Sequence, residues 1–409
     1  MGTVREMDFV DECYADKDLS LLKKLTLVIP TYNRNYYLSR CLWYHAHFPF
    51  GQIIVADSSP EEKKVVNRET VAKVREMFGA DILYLEYEPE TDKYGGDIYR
   101  KWGDAVMHVD TVYTQICTDK EFVIPISIKR LIKHLDSHSD FTTAQGDEYG
   151  ISMNATASHK TSYHVFNRNP GRQMIEDVEA LDRISHAIGE NGGFSQSLLL
   201  SLSKSANLKD IYAAYYANEN PHDLRYAEVY FAYAGYIAGR HYCKNELISR
   251  VRDEIGKYID INNADGKFFC KSSESSTTRY PTYEDYLAQG TVEKYYAPIY
   301  KAFVEIFQKY TTLSHAEIES FMNSKEILLK TVFTQKKPTP LSNPVTQKLF
   351  HLCRSIKPIR NSYRIIRRHL GKSSGREMCI DTEYEKYLTV ITHIIKTTWD
   401  KHKSDRPII

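Results

Sequence analysis

Two carboxylates separated by one residue, Asp119 and Glu121, come directly after a predicted strand. The predicted strand 112–117 precedes them, and Pro125 begins a predicted helix behind them. Carboxylate oxygens are the ligands that hard divalent cations prefer. Such a cation would bridge a diphosphate and stabilise it as it leaves a substrate. An acidic pair is also a common solvated surface cluster, so this chemistry needs support from other segments.

A second group of polar residues follows the apolar run 25–29. Pro30 closes that predicted strand, because proline cannot serve in the middle of a ladder. Thr31, Asn33 and Arg34 then lie at the carboxyl end of the strand, where open α/β sheets bind ligands.

Asp57 ends another short apolar strand, which begins near Gly51, and Ser58, Ser59 and Pro60 follow it. An acid at this position accepts hydrogen bonds from a base or ribose in nucleotide-binding α/β folds. It is equally a common helix cap or turn former. The sequence leaves both interpretations open.

The elements that position these residues alternate between strands and helices. Further strands are predicted at 82–87 and 141–148, and helices at 36–48, 61–78 and up to about Val109. This alternation predicts a parallel, doubly wound sheet with right-handed crossovers. Residues 151–175 are predicted as loop and residues 257–325 as largely helical.

Composition excludes several classes of protein. A formal net charge of +1 argues against a general nucleic-acid binder. The seven cysteines are scattered, odd in number and without a CxxC pair, which fits reduced thiols in a cytosolic protein. Residues 1–20 lack the apolar core of a signal peptide, and no run is long enough to cross a membrane. The expected location is therefore cytoplasmic.

Together the motifs resemble the GT-A nucleotide-sugar glycosyltransferases, and more narrowly the family-2-like bacterial enzymes. The matching segments are VIPTYNR, then IIVADSS about 25 residues later, then an acidic triplet and Phe122 after a strand that contains Thr111, Val112 and Tyr113. The resemblance covers roughly residues 23–255. It implies a Rossmann-like, mainly parallel sheet flanked by helices, with a helical C-terminal appendage.

The resemblance also implies residue roles. The nucleotide-sugar pocket would be lined by Pro30, Thr31, Asn33, Arg34, Asp57, Lys101 and Asp119. Asp119 and Glu121 would hold Mn²⁺ or Mg²⁺. Lys120 departs from the family, since it stands where relatives carry an acid, and it would itself face the diphosphate and reduce the need for metal. Arg250 and Arg252, after a predicted strand end, are further candidates to reach the diphosphate.

A catalytic base is expected at the start of a long predicted helix. Relatives carry an acidic pair there, with a glycine eleven residues later, and counting back from Gly239 gives Glu228. Ala227 stands at the position of the first acid, and Asp223 is the second candidate. The base would take the proton of the acceptor hydroxyl during an inverting transfer. An acid stabilised by the helix dipole is the alternative.

The C-terminal part is locally basic. Between Glu326 and Glu377 there are twelve lysines and arginines and no acid. Within 347–372 they alternate with apolar residues, a pattern suited to an anionic membrane surface. RNA binding and a simple solvated face are the alternatives. Membrane contact at the inner face would suit an enzyme whose acceptor is lipid-linked.

The sequence therefore predicts a glycosyltransferase domain over 1–255, with a nucleotide-sugar half over 23–145 and an acceptor half over 146–255. A helical extension over 256–335 and a basic helical appendage over 336–409 follow. The expected reaction moves a sugar from a nucleoside-diphosphate sugar to a hydroxyl of a glycan or lipid-linked glycan, with inversion, in surface polysaccharide biosynthesis.

Two alternatives stay open. A degenerate transferase kept for glycan or partner binding is compatible with Lys120 and Ala227. A nucleotidyltransferase would need a glycine-rich, basic phosphate loop after the first strand, where this chain has Thr31 to Arg34.

Overall fold

The computed structural model describes residues 18–92, 98–155, 161–168, 172–188, 198–218, 224–254, 292–323 and 382–403. Across these residues, nine strands form one sheet. They are β1 (Leu25–Thr31), β2 (Gln52–Asp57), β3 (Ile82–Glu86), β4 (Tyr113–Ile116), β5 (Glu121–Val123), β6 (Phe141–Ala155), β7 (Thr161–Asn167), β8 (Leu202–Lys204) and β9 (Arg240–Asp253).

Helices connect most of the strands and continue after the last one. The α-helices of the described residues are Asn35–Ala46, Glu61–Phe78, Ile98–Met107, Pro125–Ser137, Ala180–Ile188, Ser205–Ala217, Leu224–Ala238, Val292–Tyr310, 315–323 and Thr382–Lys403. Two short 3₁₀ helices span Ser20–Lys24 and Pro89–Asp92.

The strand order is β3-β2-β1-β4-β8-β6-β9-β5, with β7 beside β6. The first four strands are parallel, as the alternation of strands and helices predicts. Beyond β4 the sheet is mixed, because β8 runs antiparallel to β4 and β6, and β5 runs antiparallel to β9. The sheet is thus Rossmann-like in its first half and mixed rather than mainly parallel as a whole.

Helices cover both faces of the sheet, because successive residues of the first strands point to opposite sides and are apolar on both. Val28 shares one core with residues of the helix Ile98–Met107. Its neighbour Ile29 shares another with the helices Asn35–Ala46 and Glu61–Phe78. This is the architecture that the resemblance to the GT-A family implies.

Two local predictions need correction. Residues 151–175 are not loop throughout, because β6 continues to Ala155 and pairs with β7 from Thr161. Apolar and polar residues alternate in this stretch, which is the pattern of a strand with one solvated face. The prediction of a loop was therefore wrong. The first strand also runs one residue past Pro30, whose missing amide hydrogen is tolerated next to the strand end.

The C-terminal helix Thr382–Lys403 packs on the first half of the chain. Its buried residues Tyr387 and Ile391 share a core with Tyr44 and Leu131. The basic segment 347–372 lies outside the described residues, so its proposed membrane contact stays a prediction. Within the part of the chain that the structure describes, no helix combines the length and the apolar character that a membrane span requires.

Candidate active site

The loop after β1 is held against the loop after β2. Asn33 has φ = 54°, in the left-handed region that asparagine adopts more readily than most residues. Its amide donates to Oγ of Ser59 at 2.8 Å. The amide of Ser58 donates to the carbonyl of Thr31 at 3.2 Å. These bonds fix the two loops side by side at one edge of the sheet.

Asp57 lies beneath the second loop and is fully buried. Its carboxylate accepts hydrogen bonds from the amide of Ser59 at 2.7 Å, from Asn67 at 2.7 Å and from the Tyr84 hydroxyl at 2.5 Å. Burial and the bond to Asp57 raise the pKa of Tyr84, so the phenol stays a donor. Asp57 thereby fixes the loop, and its contact with a base or ribose stays a prediction.

The Lys101 ammonium joins three segments of the chain by hydrogen bonds. Its ammonium donates to the carbonyl of Thr31 at 3.2 Å, to Oγ of Ser58 at 2.8 Å and to the carboxylate of Asp92. The side chain is 1% exposed, and burial lowers its pKa while the charge of Asp92 opposes that shift. The structure therefore places Lys101 at the predicted edge, as an anchor for the loops.

Asp119 brings the end of β4 to the same place. Its carboxylate accepts a hydrogen bond from the Thr31 hydroxyl at 2.9 Å and one from the Arg34 guanidinium at 3.3 Å. Asp119 is buried, whereas the side chain of Arg34 is 43% exposed. The charge of Asp119 raises the pKa of Arg34. Arg34 is thus a solvent-facing cation fixed at the rim of the sheet.

Lys120 presents a second cation beside Arg34. Its ammonium lies 4.8 Å from the centre of the Tyr37 ring, within the range of a cation–π contact. Burial and the neighbouring charge of Arg34 lower the pKa of Lys120 to about 8. The carbonyl of Lys120 accepts the amide of Asp253 at 2.9 Å, which joins this turn to the end of β9.

Glu121 faces a different environment from Asp119. It begins β5, opposite Arg252 of β9, and is fully buried. One carboxylate oxygen lies 3.5 Å from Arg252 and 3.8 Å from Arg250, and the other accepts the amide of Thr118 at 3.1 Å. The Glu121 carboxylate therefore faces partners within the protein and not open solvent.

Carboxylates and guanidinium groups alternate around a closed ring that includes Glu121. From Glu121 the contacts pass to Arg250 (3.8 Å), Glu148 (2.9 Å), Arg168, Glu254 (2.6 Å), Arg252 (3.8 Å) and back to Glu121 (3.5 Å). Burial alone would raise the pKa of Glu148, but the guanidinium groups of Arg250, Arg168 and Arg172 hold it below the usual range.

The sequence does not reveal this ring. It offers Arg250 and Arg252 as candidates to reach the diphosphate, whereas the structure pairs both with buried carboxylates. Their spacing of two residues in a strand, which puts both on one face, was the available signal. The acidic partner Glu148 lies 102 positions before Arg250, too far for a local pattern.

The two predicted metal ligands do not converge on a shared open position. Both oxygens of Asp119 already accept hydrogen bonds, from Thr31 and Arg34, and Glu121 faces Arg252. A divalent ion bound to both acids would lie against the guanidinium groups of Arg34 and Arg252, whose positive charge opposes its binding. These residues therefore do not fit a two-carboxylate site for Mn²⁺ or Mg²⁺.

One group of three side chains among the described residues has the donor types and closeness of a metal site. The ligand atoms of Cys41, His45 and Cys117 lie within 4.8 Å of one another. Nδ1 of His45 lies 2.8 Å from the Cys41 carbonyl, and Nε2 accepts the amide of Val123 at 3.2 Å. Burial raises the pKa of the Cys117 thiol. With both ring nitrogens occupied, the group packs as core behind the Asp119 turn.

The catalytic candidates are less defined. Glu228 lies in the second turn of the helix Leu224–Ala238, and Asp223 lies outside the described residues. Pro30, the remaining candidate of the pocket, is buried in β1 opposite Ala56. The assignment of Glu228 or Asp223 as base stays a prediction.

Asp147, next to Glu148, predicts a pH dependence of stability. Burial raises its pKa to about 6, against about 3.9 in an unfolded chain. Between these values the folded state binds more protons than the unfolded state, so stability falls as pH rises from about 4 to about 6. Asp147→Asn should remove this fall.

Thermal unfolding of both proteins between pH 4 and 7.5 measures that effect. The variant should gain stability relative to the parent as pH rises through the window. Asp110→Asn, at an exposed acid, is the control and should follow the parent throughout. Parallel curves for Asp147→Asn and the parent would contradict the prediction.

Comparisons with known proteins give matches only among solved structures. No protein-family model matches the sequence, and no curated protein matches it. Staphylococcus aureus TarS 1–349 in complex with UDP-GlcNAc is 13% identical, with 94% of this chain and 93% of that chain covered and a TM-score of 0.46. For a longer TarS structure the identity is 16%, the coverage 78% and 45%, and the TM-score 0.44, so this chain spans less than half of that one.

A mannosyltransferase, PcManGT from Pyrobaculum calidifontis in complex with GDP-Man and Mn²⁺, is 11% identical. The match covers 94% of this chain and 88% of that one, with a TM-score of 0.37. Likeness at this level assigns no substrate, metal or residue role to this chain. Those assignments depend on the geometry of its own site.

Proposed function

We propose that this protein is a glycosyltransferase that moves a sugar from a nucleoside-diphosphate sugar to a hydroxyl group of a glycan or lipid-linked glycan. The observation that carries the proposal is the convergence of three strand ends. Thr31 at the end of β1, Ser58 after β2 and Asp119 after β4 are joined directly or through Lys101. This is the edge of an open α/β sheet at which ligands bind.

The charges at this edge suit a diphosphate leaving group. Arg34 offers an exposed guanidinium, and Lys120 offers an ammonium fixed above Tyr37. Cations that are already in position stabilise the negative charge that develops on the leaving diphosphate, at little cost in reorganisation. Asp57 and Asn33 would then contact the nucleoside.

The acceptor side completes the proposed reaction. Glu228, with Asp223 as second candidate, would take the proton of the acceptor hydroxyl on the face opposite the diphosphate, which inverts the anomeric carbon. The setting would be surface polysaccharide assembly in the cytoplasm. Contact of 347–372 with the inner face of the membrane would bring the enzyme to a lipid-linked acceptor.

A thermal-shift panel with the full chain tests donor binding. UDP, GDP, UDP-GlcNAc and GDP-Man are suitable probes, since such ligands occupy the similar structures. A ligand at 100 times its Kd stabilises the native state by about 2.7 kcal/mol, so one nucleotide class should raise Tm by several degrees. Inorganic diphosphate is the control for simple anion binding. No shift by any nucleotide at millimolar concentration would overturn the proposal.

A degenerate, non-catalytic transferase is the second candidate, and the interior position of Glu121 favours it. Such a protein would bind the nucleotide sugar without consuming it. Release of the nucleoside diphosphate from the bound donor, followed over hours with and without glycan acceptors, separates the two functions. Binding without release would favour the second.

A further inference from the structure

We infer that Arg34 and Lys120 neutralise the donor diphosphate in place of a resident divalent cation. This inference rests on the proposed function, because it concerns the same donor site. It goes further by assigning the role of the metal to two side chains of this chain.

The carboxylate oxygens of Asp119 and Glu121 already have partners within the protein. One carboxylate oxygen of Asp119 accepts a hydrogen bond from Thr31, and the other accepts one from Arg34. The carboxylate of Glu121 is fully buried, with Arg252 at 3.5 Å and the Thr118 amide at 3.1 Å. Neither acid presents the open pair of oxygens that would hold a hard cation in octahedral geometry.

Contacts with neighbouring residues hold the cations Arg34 and Lys120 in place. Arg34 is held by Asp119, and Lys120 is the next residue after Asp119 in the chain. The ring of Tyr37 lies 4.8 Å from the Lys120 ammonium, and the turn is fixed to β9 through the amide of Asp253. Both cations are therefore positioned at the rim before any ligand arrives.

Lys120 also changes the formal charge of the turn that contains Asp119. Glu121 is balanced by the arginines of the ring and Lys101 is paired with Asp92, so Asp119, Lys120 and Arg34 are the remaining charges of the turn beside the proposed diphosphate, above the buried Asp57. Their formal sum is +1, whereas an acid at position 120 would make it −1. The lysine thus changes the local charge by two units, the same change that a bound divalent cation would provide. A diphosphate at this turn would meet two cations and one acid without metal.

Titration calorimetry of the full chain with UDP and with GDP, in EDTA and in Mn²⁺, tests the inference. The nucleotide that binds should have the same Kd in both conditions, within about threefold. Lys120→Asp should weaken binding in EDTA by about 30-fold or more, and Mn²⁺ should restore part of it. Lys73→Glu, which makes the same charge change on an exposed helix position, should bind like the parent.

A second variant covers the case in which Lys120→Asp does not fold. Lys120→Met keeps the apolar stem over Tyr37 and removes only the charge, so it should weaken binding about tenfold in EDTA. Binding by the parent that falls tenfold in EDTA and returns with Mn²⁺ would overturn the inference while supporting the donor site. Unchanged affinity in both lysine variants would also overturn it. No binding of either nucleotide in either condition would instead refute the proposed function.

Discussion

Glu121→Gln is expected to lower the free energy of unfolding by about 3 kcal/mol, the lower end of the range for breaking a buried ion pair. The substitution keeps the volume of the side chain but removes the charge that faces Arg250 and Arg252. The loss stays at the lower end because Arg250 keeps Glu148 and Arg252 keeps Glu254. Thermal unfolding should show a midpoint lower by roughly 5 °C or more.

A surface ion pair supplies the matched control. Glu86 pairs with Arg68, and both side chains are more than one third exposed. Glu86→Gln should therefore change stability by less than about 1 kcal/mol. If Glu121→Gln left Tm unchanged but abolished metal-dependent nucleotide binding, Glu121 would be the metal ligand that the sequence alone suggests, and its place in the ring would carry little stability.

The first half of the fold follows closely from local sequence patterns. The helix Glu61–Phe78 has the predicted bounds, because Pro60 precedes an acidic first turn and Gly79, at φ = 63°, ends the helix in the left-handed conformation. The strand β2 before it is buried on both faces and therefore appears as an unbroken apolar run, and the edge strand β3 after it, though only partly buried, is also apolar from Ile82 to Leu85.

The second half follows less well, because its strands are longer and mixed in polarity. β6 and β9 pair over their length in parallel, yet their register shifts at Gly146 and Asp147. Such irregularities leave no signature in one strand, since each depends on the partner. The short strand β5 is similar, because Glu121–Val123 becomes a strand only by pairing with β9.

The contacts of the candidate site also divide into those that a local sequence pattern predicts and those that it does not. The positions of Thr31, Arg34 and Asp119 at one sheet edge were predictable, because strand ends in a parallel sheet meet at the same edge. The partners of Asp57 were not, because Asn67 and Tyr84 reach it from the next helix and strand. For Glu121 the short distance to Asp119 in sequence was misleading, since its contacts come from β9.

The largest expected effect on catalysis belongs to Asp119→Asn, which should lower kcat/KM for the donor by about 100- to 1,000-fold, the usual loss for one preorganised electrostatic contact. Asp119 accepts simultaneously from the Thr31 hydroxyl and the Arg34 guanidinium. An asparagine keeps the shape of the side chain but lacks the negative charge that holds the Arg34 guanidinium. Arg34, 43% exposed, would then turn towards solvent and leave the diphosphate.

Steady-state release of nucleoside diphosphate from the donor found by the binding panel measures this loss. Asp110→Asn, at an exposed acid that precedes the start of β4 whereas Asp119 follows its end, is the control and should keep the parental rate. A kcat/KM within threefold of the parent would contradict the role of Asp119. Because we place Arg34 and not a metal on Asp119, the loss should be equal in EDTA and in Mn²⁺. Rescue by excess Mn²⁺ would instead identify the carboxylate as a metal ligand, since a weakened metal site is refilled by mass action.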